Sequence, residues 1–240
     1  MVIARTPYRV SLLGGGTDYP QWFKDHLGTC LSTTINRYCY LSVRRLPPFH
    51  SHKTRAVWSE IELVRDNSEI RHPAIRGCLD FMEIRDGLEI HYDGDLPSRS
   101  GMGSSAAFTV GLLHCLHALK SEMASKRTLA LEAIQVDQDI VRETVGIQDH
   151  VSSAFGGLNR IDVNGTRSDF RVTPIPLDAA RLKLFRQYLM LFFTGKTRHA
   201  SEVAARQVAQ LENNVQTLER MAAMVGEGQE LLMTGRFSDF

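Results

Sequence analysis

The run Pro97-Ser98-Arg99-Ser100-Gly101-Met102-Gly103-Ser104-Ser105-Ala106-Ala107 carries residue types suited to holding phosphate. Its two glycines let the backbone approach a ligand closely, and the apolar pattern from Ala106 to Leu119 predicts a helix directly after them. The first turn of such a helix has N–H groups without internal partners. Its macrodipole favours an anion there by roughly 0.3–1 kcal/mol at an exposed site. Ser104 and Ser105 add hydroxyls able to face a phosphate or a metal ion.

Two other phosphate-loop readings compete. Gly101-x-Gly103-x-x-Ala106 satisfies the GxGxxA pattern of a dinucleotide loop. Such a loop belongs to a compact βαβ unit with an acid about 20 residues on. Glu122 lies at that distance, but Lys120-Ser121-Glu122 reads as a solvated helix end without a strand leading into it. Gly195-Lys196-Thr197 has the ending of a P-loop, yet position 190 is methionine where that motif needs glycine. His114 and His117 stand at i, i+3, and His50 and His52 flank a serine. Neither pair has a companion acid or cysteine at ligand spacing, so packing or solvent explains them.

The loop has to be held by strands and helices on either side. Strands are predicted at 10–13, 38–43, within 56–64, at 88–92, and at 158–163 and 170–175 around the Asn164-Gly165 turn. The apolar run Leu189-Met190-Leu191-Phe192-Phe193 reads as a buried strand. Helical spacing marks 71–85, 106–119, 127–143 and about 199–225. Strands and helices intermingle without regular βαβ alternation, which indicates an α+β class.

The phosphate loop resembles that of the GHMP kinases, the family of galactokinase and of homoserine, mevalonate and phosphomevalonate kinases. Arg5-x-Pro7-x-Arg9-Val10-Ser11-Leu12-Leu13-Gly14-Gly15-Gly16-Thr17-Asp18 is similar to the family's N-terminal motif. Gly146-Ile147-Gln148-Asp149-His150, with Ala154-Phe155-Gly156-Gly157, adds a third match, and Phe193-Thr194-Gly195-Lys196-Thr197-Arg198-His199-Ala200-Ser201-Glu202 a fourth. Four motifs in order, from residue 5 to residue 202, resemble most the branch that phosphorylates heptose 7-phosphate.

The resemblance implies a two-domain α+β fold. Residues 1–176 would form an N-terminal domain like domain 2 of ribosomal protein S5, and 177–240 an incomplete ferredoxin-like C-terminal domain. Family members run on well past this length to a third glycine-rich motif, so C-terminal truncation is expected. The implied activity is ATP- and Mg²⁺-dependent phosphorylation of a sugar phosphate, at the anomeric hydroxyl of heptose 7-phosphate.

Pro97, Ser100, Gly101, Met102, Gly103, Ser104, Ser105 and Ala106 would cradle the nucleotide. Ser105 and Asp137 would hold magnesium, with Asp139 and Glu143 competing for the acid's role. Asp149 would activate or orient the attacking hydroxyl beside Arg9. Gly15, Gly16, Thr17 and Asp18 would take the sugar, and Arg198 with Lys196 a distal phosphate. The plainer alternatives are a helix N-cap for Asp149 and an Asx turn for Asp18. The adenine site is sought between Asn36 and Trp58. A rival reading is a module that binds nucleotide or sugar without turnover, and a distant third is an NAD-dependent oxidoreductase.

Composition agrees with a small-molecule enzyme. Hydrophobic residues make up 43% and charged residues 23%, as in ordinary globular chains. A net charge of +1 without a basic block gives no electrostatic footprint for nucleic acid. No run approaches the roughly 18 apolar residues of a membrane span. Cys30, Cys39, Cys78 and Cys115 lack CxxC spacing and are expected as free thiols in the cytoplasm. Oligomeric state is not readable from these features.

Overall fold

The computed structural model describes the chain apart from residues 99, 193, 194 and 196–199 and the side chains of 200–202. Strand β1 (Val2–Leu13) leads through a short helix α1 (Pro20–Phe23) into the long strand β2 (Gly28–Arg45). Then come β3 (Thr54–Val57), β4 (Ile61–Val64), α2 (Pro73–Phe81), β5 (Leu88–Gly94) and α3 (Ser104–Leu119). Helix α4 (Lys126–Gln135) runs into a π-helical turn at Val136–Ile140, followed by α5 (Gln148–Phe155), β6 (Leu158–Val163) and β7 (Phe170–Pro174). Helices α6 (Ala179–Gln187), α7 (Ala200–Val208) and α8 (Val215–Thr234) close the chain.

Among the described residues the seven strands form one mixed sheet with β2 as its spine. β1 pairs antiparallel along one edge of β2. The other edge is shared, with β6 along Gly28–Thr33 and β5 along Cys39–Arg45. β3 lies parallel to β5, and the remaining pairs are antiparallel. The sheet is the mixed α+β type anticipated from the intermingled pattern. Between the two pairings β2 is free of both neighbours, and the segments before the phosphate loop and after α5 meet it there. Tyr38 N–H donates to the Asp95 carboxylate, and Thr34 N–H to the Gly157 carbonyl.

Helix α3 is the central post. It is enclosed almost all round, since nearly every residue from Ala106 to His117 is buried. The sheet lies on one side of it and α2, α4 and α5 enclose the others, which an apolar helix of this composition requires. The main core joins Leu41, Val43 and Ile90 of the sheet to Leu79, Leu112, Leu113 and Leu116 of the helices. A second cluster gathers Phe23, Ile134, Ile147, Val151 and Ile161. On the reverse face, Leu31 of β2 packs with Ile175, Phe185, Val225, Leu232 and Phe237.

Three sequence-based expectations are corrected. Residues 189–192 form no strand: Met190 is 80% exposed, Leu191 68% and Phe192 75%, because no neighbouring strand pairs with them. The helix expected over 199–225 is two helices, broken near Asn213-Asn214, where the Asn214 side-chain amide donates to the Gln210 carbonyl. The helix expected to reach 143 ends in the π-helical turn. The four cysteines are free and buried. Among the described residues no helix is long and apolar enough to cross a membrane.

Candidate active site

Arg9 joins the loop to the candidate catalytic acid. A β-bulge between Pro7 and Arg9 shifts the register of β1 just where this side chain leaves the sheet. The Arg9 N–H donates to the Met102 carbonyl at 3.1 Å, and its Nη1 donates to the Gly101 carbonyl at 2.9 Å. Its Nε and Nη2 grip Asp149 bidentately, at 2.7 Å to Oδ1 and 2.6 Å to Oδ2. Burial alone would lower the pKa of Arg9, but the Asp149 carboxylate outweighs it and raises it. Asp149 is only part-buried, its side chain 30% exposed, so a reacting hydroxyl can reach it.

The loop itself feeds α3. Gly103 takes φ +71° and stands as N-cap without a side-chain cap, so the first N–H groups of α3 stay available to an anion. A β-carbon there would lie 3.1 Å from Arg9 Cγ, so glycine also lets the arginine pass.

Beside the loop opens a cavity of about 800 Å³, within the range of small-molecule sites. Pro97, Ser98, Ser104 and Ser105 form one wall, and Thr109, Asp137 and Glu143 part of the floor. The far wall is aromatic: His72 stacks on Phe108 with centroids 4.7 Å apart, and Trp58 and Tyr92 meet that pair edge-on. Buried Glu62 fixes this wall by accepting from Trp58 Nε1 at 2.9 Å and from the Arg71 and His72 N–H groups. Its own burial would raise its pKa, but those donors lower it. Burial also lowers the pKa of His72. Of the stretch 36–58, Trp58 lines the cavity. His72, Tyr92 and Phe108 carried no signal of their own in the sequence, because they come together only when α2, β5 and α3 pack.

The glycine turn serves the helix that carries Asp149. Asp18 is 6% exposed; it accepts from Gly16 N–H at 3.1 Å and from Gln148 N–H, at the start of α5, at 3.0 Å. Its carbonyl accepts from Ile147 N–H, and a β-carbon on Gly146 would collide with its carboxylate. Burial raises the Asp18 pKa, against the lowering by these N–H donors. Thr17 is fully buried, with its hydroxyl 2.9 Å from the Gly14 and Thr29 carbonyls. Gly16 is buried under Gln207 of α7, so Gly15 is the part-exposed member of the four sugar candidates. Thr17 and Asp18 thus turn their polar atoms inward, because the turn and the α5 terminus need them as partners. Arg198 and Lys196 lie outside the described residues.

The three acids considered for magnesium are placed differently. Asp139 is exposed and bound to Arg167. Asp137 sits buried in the π-helical turn, accepting from Thr109 Oγ1 at 3.0 Å and from His150 Nε2 at 2.8 Å. Glu143 lines the cavity with its pKa raised by burial and by the charge of Asp137. Among the described residues no group of three His, Cys, Asp or Glu side chains gathers as a metal centre. Of the oxygen-bearing residues that line the cavity, Thr109 and Asp137 are bonded to each other, and Ser104, Ser105 and Glu143 suit a hard cation that brings phosphate oxygens and water as its other ligands.

The dinucleotide reading of the loop fails on topology, while Lys196 and Thr197 of the P-loop reading lie outside the described residues. After α3 the chain enters α4 rather than a strand parallel to β5, so there is no βαβ unit. Glu122 is bound to His117 at 2.8 Å, not free for a ribose, and Glu132 holds the other imidazole nitrogen at 2.7 Å.

Residues 72–157, from the aromatic wall through the phosphate loop to Asp149, match the family described as GHMP kinases N terminal domain. The chain as a whole is similar to kinases of that family. It is 23% identical over 229 residues to the D-glycero-alpha-D-manno-heptose 7-phosphate kinase of Campylobacter jejuni, covering 92% of this chain and 67% of that protein. It is 28% identical over 214 residues to the galactokinase of Pyrococcus furiosus, covering 85% of this chain and 57% of that protein. The chain therefore spans about two thirds or less of the length of these relatives. The crystal structure of a D-glycero-D-manno-heptose 1-phosphate kinase from Bacteriodes thetaiotaomicron superposes with a TM-score of 0.81 at 19% identity. That alignment covers 98% of this chain and 74% of the other, and it shows a shared fold.

Proposed function

We propose that this chain binds ATP in the 800 Å³ cavity and phosphorylates a hydroxyl of a sugar phosphate, the anomeric hydroxyl of heptose 7-phosphate. The observation that carries this reading is the double role of Arg9, which holds Gly101 and Met102 of the loop and Asp149 at once. Phosphoryl transfer asks mainly for alignment and charge stabilisation, and this arginine sets both relative to one backbone. The free N–H groups at the start of α3 receive the phosphates, and the aromatic wall from Trp58 to Phe108 takes the base. Magnesium, when bound, neutralises charge on the phosphates, and Ser105 with a nearby carboxylate would hold it. Asp149, clamped by Arg9, accepts the proton or orients the attacking oxygen, a role worth about 10²–10⁴-fold. The heptose assignment draws on the similarity to the Campylobacter jejuni protein, while the galactokinase similarity keeps the sugar class in view. Arg198 is proposed to grip the distal phosphate, the domain boundary is proposed near 176, and the cytoplasm as the compartment that supplies ATP.

The test is ADP release with magnesium over a panel of D-glycero-D-manno-heptose 7-phosphate, galactose and mevalonate, with ³¹P NMR locating the new phosphate. Selective turnover of the heptose phosphate is expected, and Asp149→Asn should lower it about 10²-fold or more while nucleotide affinity holds. Turnover of galactose alone moves the substrate assignment. Binding of an ATP analogue by calorimetry without turnover of any sugar favours the module that only binds.

A further inference from the structure

We propose that Glu143, rather than Asp137, is the carboxylate that meets the divalent cation of a bound nucleotide. This rests on the ATP-binding reading above. Spacing from Asp149 directs attention to Asp137, but the packing has given that side chain other work. Its Oδ1 is held by the Thr109 hydroxyl and its Oδ2 by the His150 imidazole, and only 4% of the side chain is exposed. Through these bonds it ties α3, the π-helical turn and α5 together. Turning an oxygen out to a cation would strand a buried hydroxyl or imidazole donor, a loss of the kind that buried polar groups rarely tolerate.

Glu143 has the opposite circumstances. The chain leaves the π-helical turn through Arg142 at φ +63°, a left-handed conformation that reverses its direction. The Glu143 N–H then donates to the Asp137 carbonyl at 2.9 Å, which closes the reversal and brings Glu143 back to the cavity floor. Its side chain faces the same space as Ser104, Ser105 and Thr109. No side-chain hydrogen bond or ion pair to a described residue holds its carboxylate. The extra methylene of glutamate supplies the reach that aspartate at 137 lacks. One carboxylate is enough, because magnesium takes its remaining ligands from phosphate and water. A π-helical turn placed beside the site is the local device that permits the exchange of roles.

The experiment measures Mn²⁺ affinity by electron paramagnetic resonance in the presence of a non-hydrolysable ATP analogue, using the 240-residue chain. Analogue affinity in EDTA is measured in parallel. Glu143→Gln is expected to weaken Mn²⁺ about tenfold or more, with metal-free analogue affinity and melting temperature unchanged. Asp137→Asn is expected to shift Mn²⁺ affinity less than about threefold and to lower the melting temperature, as a buried bridge between helices should. Unchanged Mn²⁺ affinity in Glu143→Gln, or an equal loss in both variants, overturns the assignment while analogue binding stands. A wild-type chain that binds no analogue in either condition overturns the nucleotide reading itself, and this assignment with it.

Discussion

Asp18 shows how a residue of apt chemistry can be put to a use that its spacing does not disclose. An aspartate after three glycines suits a pair of sugar hydroxyls, but here its two oxygens accept backbone N–H groups from its own turn and from the start of α5. Helix α5 has no side-chain cap of its own at Ile147, so Asp18 supplies that cap from a distant part of the chain. Asp149 is the second residue of this helix, and its position depends on that cap. Asp18→Ala is therefore expected to cost about 1–3 kcal/mol of stability and to lower kcat with it. A role on the sugar predicts instead a raised KM at unchanged melting temperature, so steady-state kinetics with thermal unfolding separates the two. The loop from Ser100 to Ala106 and the acid at 149 were legible because glycine, serine and Gln-Asp motifs act locally. The bidentate Arg9–Asp149 clamp and the Glu62-held aromatic wall were not, since each joins segments far apart in the chain.

Among the elements, the strands that flank the 800 Å³ cavity are held by one buried carboxylate. Glu89 on β5 accepts from Arg44 of β2 at 2.6 Å, from Arg55 of β3 at 3.0 Å and from His91 of its own strand at 3.0 Å. The His91 hydrogen bond, then Arg44, outweigh the opposing effect of burial and bring its pKa from 4.5 down to about 2. A carboxylate lowered on folding stabilises the native state above its ordinary value and loses that contribution as pH falls toward the folded one. Glu89→Gln should thus lower the melting temperature at pH 7. The gap from wild type should narrow between pH 4.5 and about 2, followed by circular dichroism melts across that range. A gap independent of pH would mean that packing, not charge, joins these three strands. Strand periodicity could place β2 and β5, because alternation marks their buried faces. It misread 189–192, since an apolar run reports a preference for burial and not the neighbour that would satisfy it.

At the scale of the whole molecule, the question is whether residues 177–240 unfold apart from the rest of the chain. The boundary proposed near 176 follows a change in composition around Pro174 and Pro176, but packing runs straight across it. Val225 and Leu232 of α8 share a cluster with Leu31, near the start of the β2 spine. Gly14 of the glycine turn sits so close to Val225 that a β-carbon would lie 2.6 Å from its side chain. Trp22 of α1 packs on Leu211 and Leu218, so a tryptophan in the first part of the chain reports on helices of the last part. Leu232 is fully buried, and Leu232→Ala should cost about 2–5 kcal/mol. If α8 is integral to the sheet, that loss appears in one transition. Tryptophan fluorescence and far-ultraviolet circular dichroism should then shift together in denaturant, and an ATP analogue at saturating concentration should raise the same midpoint. Two separated transitions, with the analogue moving only the later one, would show that 177–240 unfolds on its own and that the cavity does not depend on it.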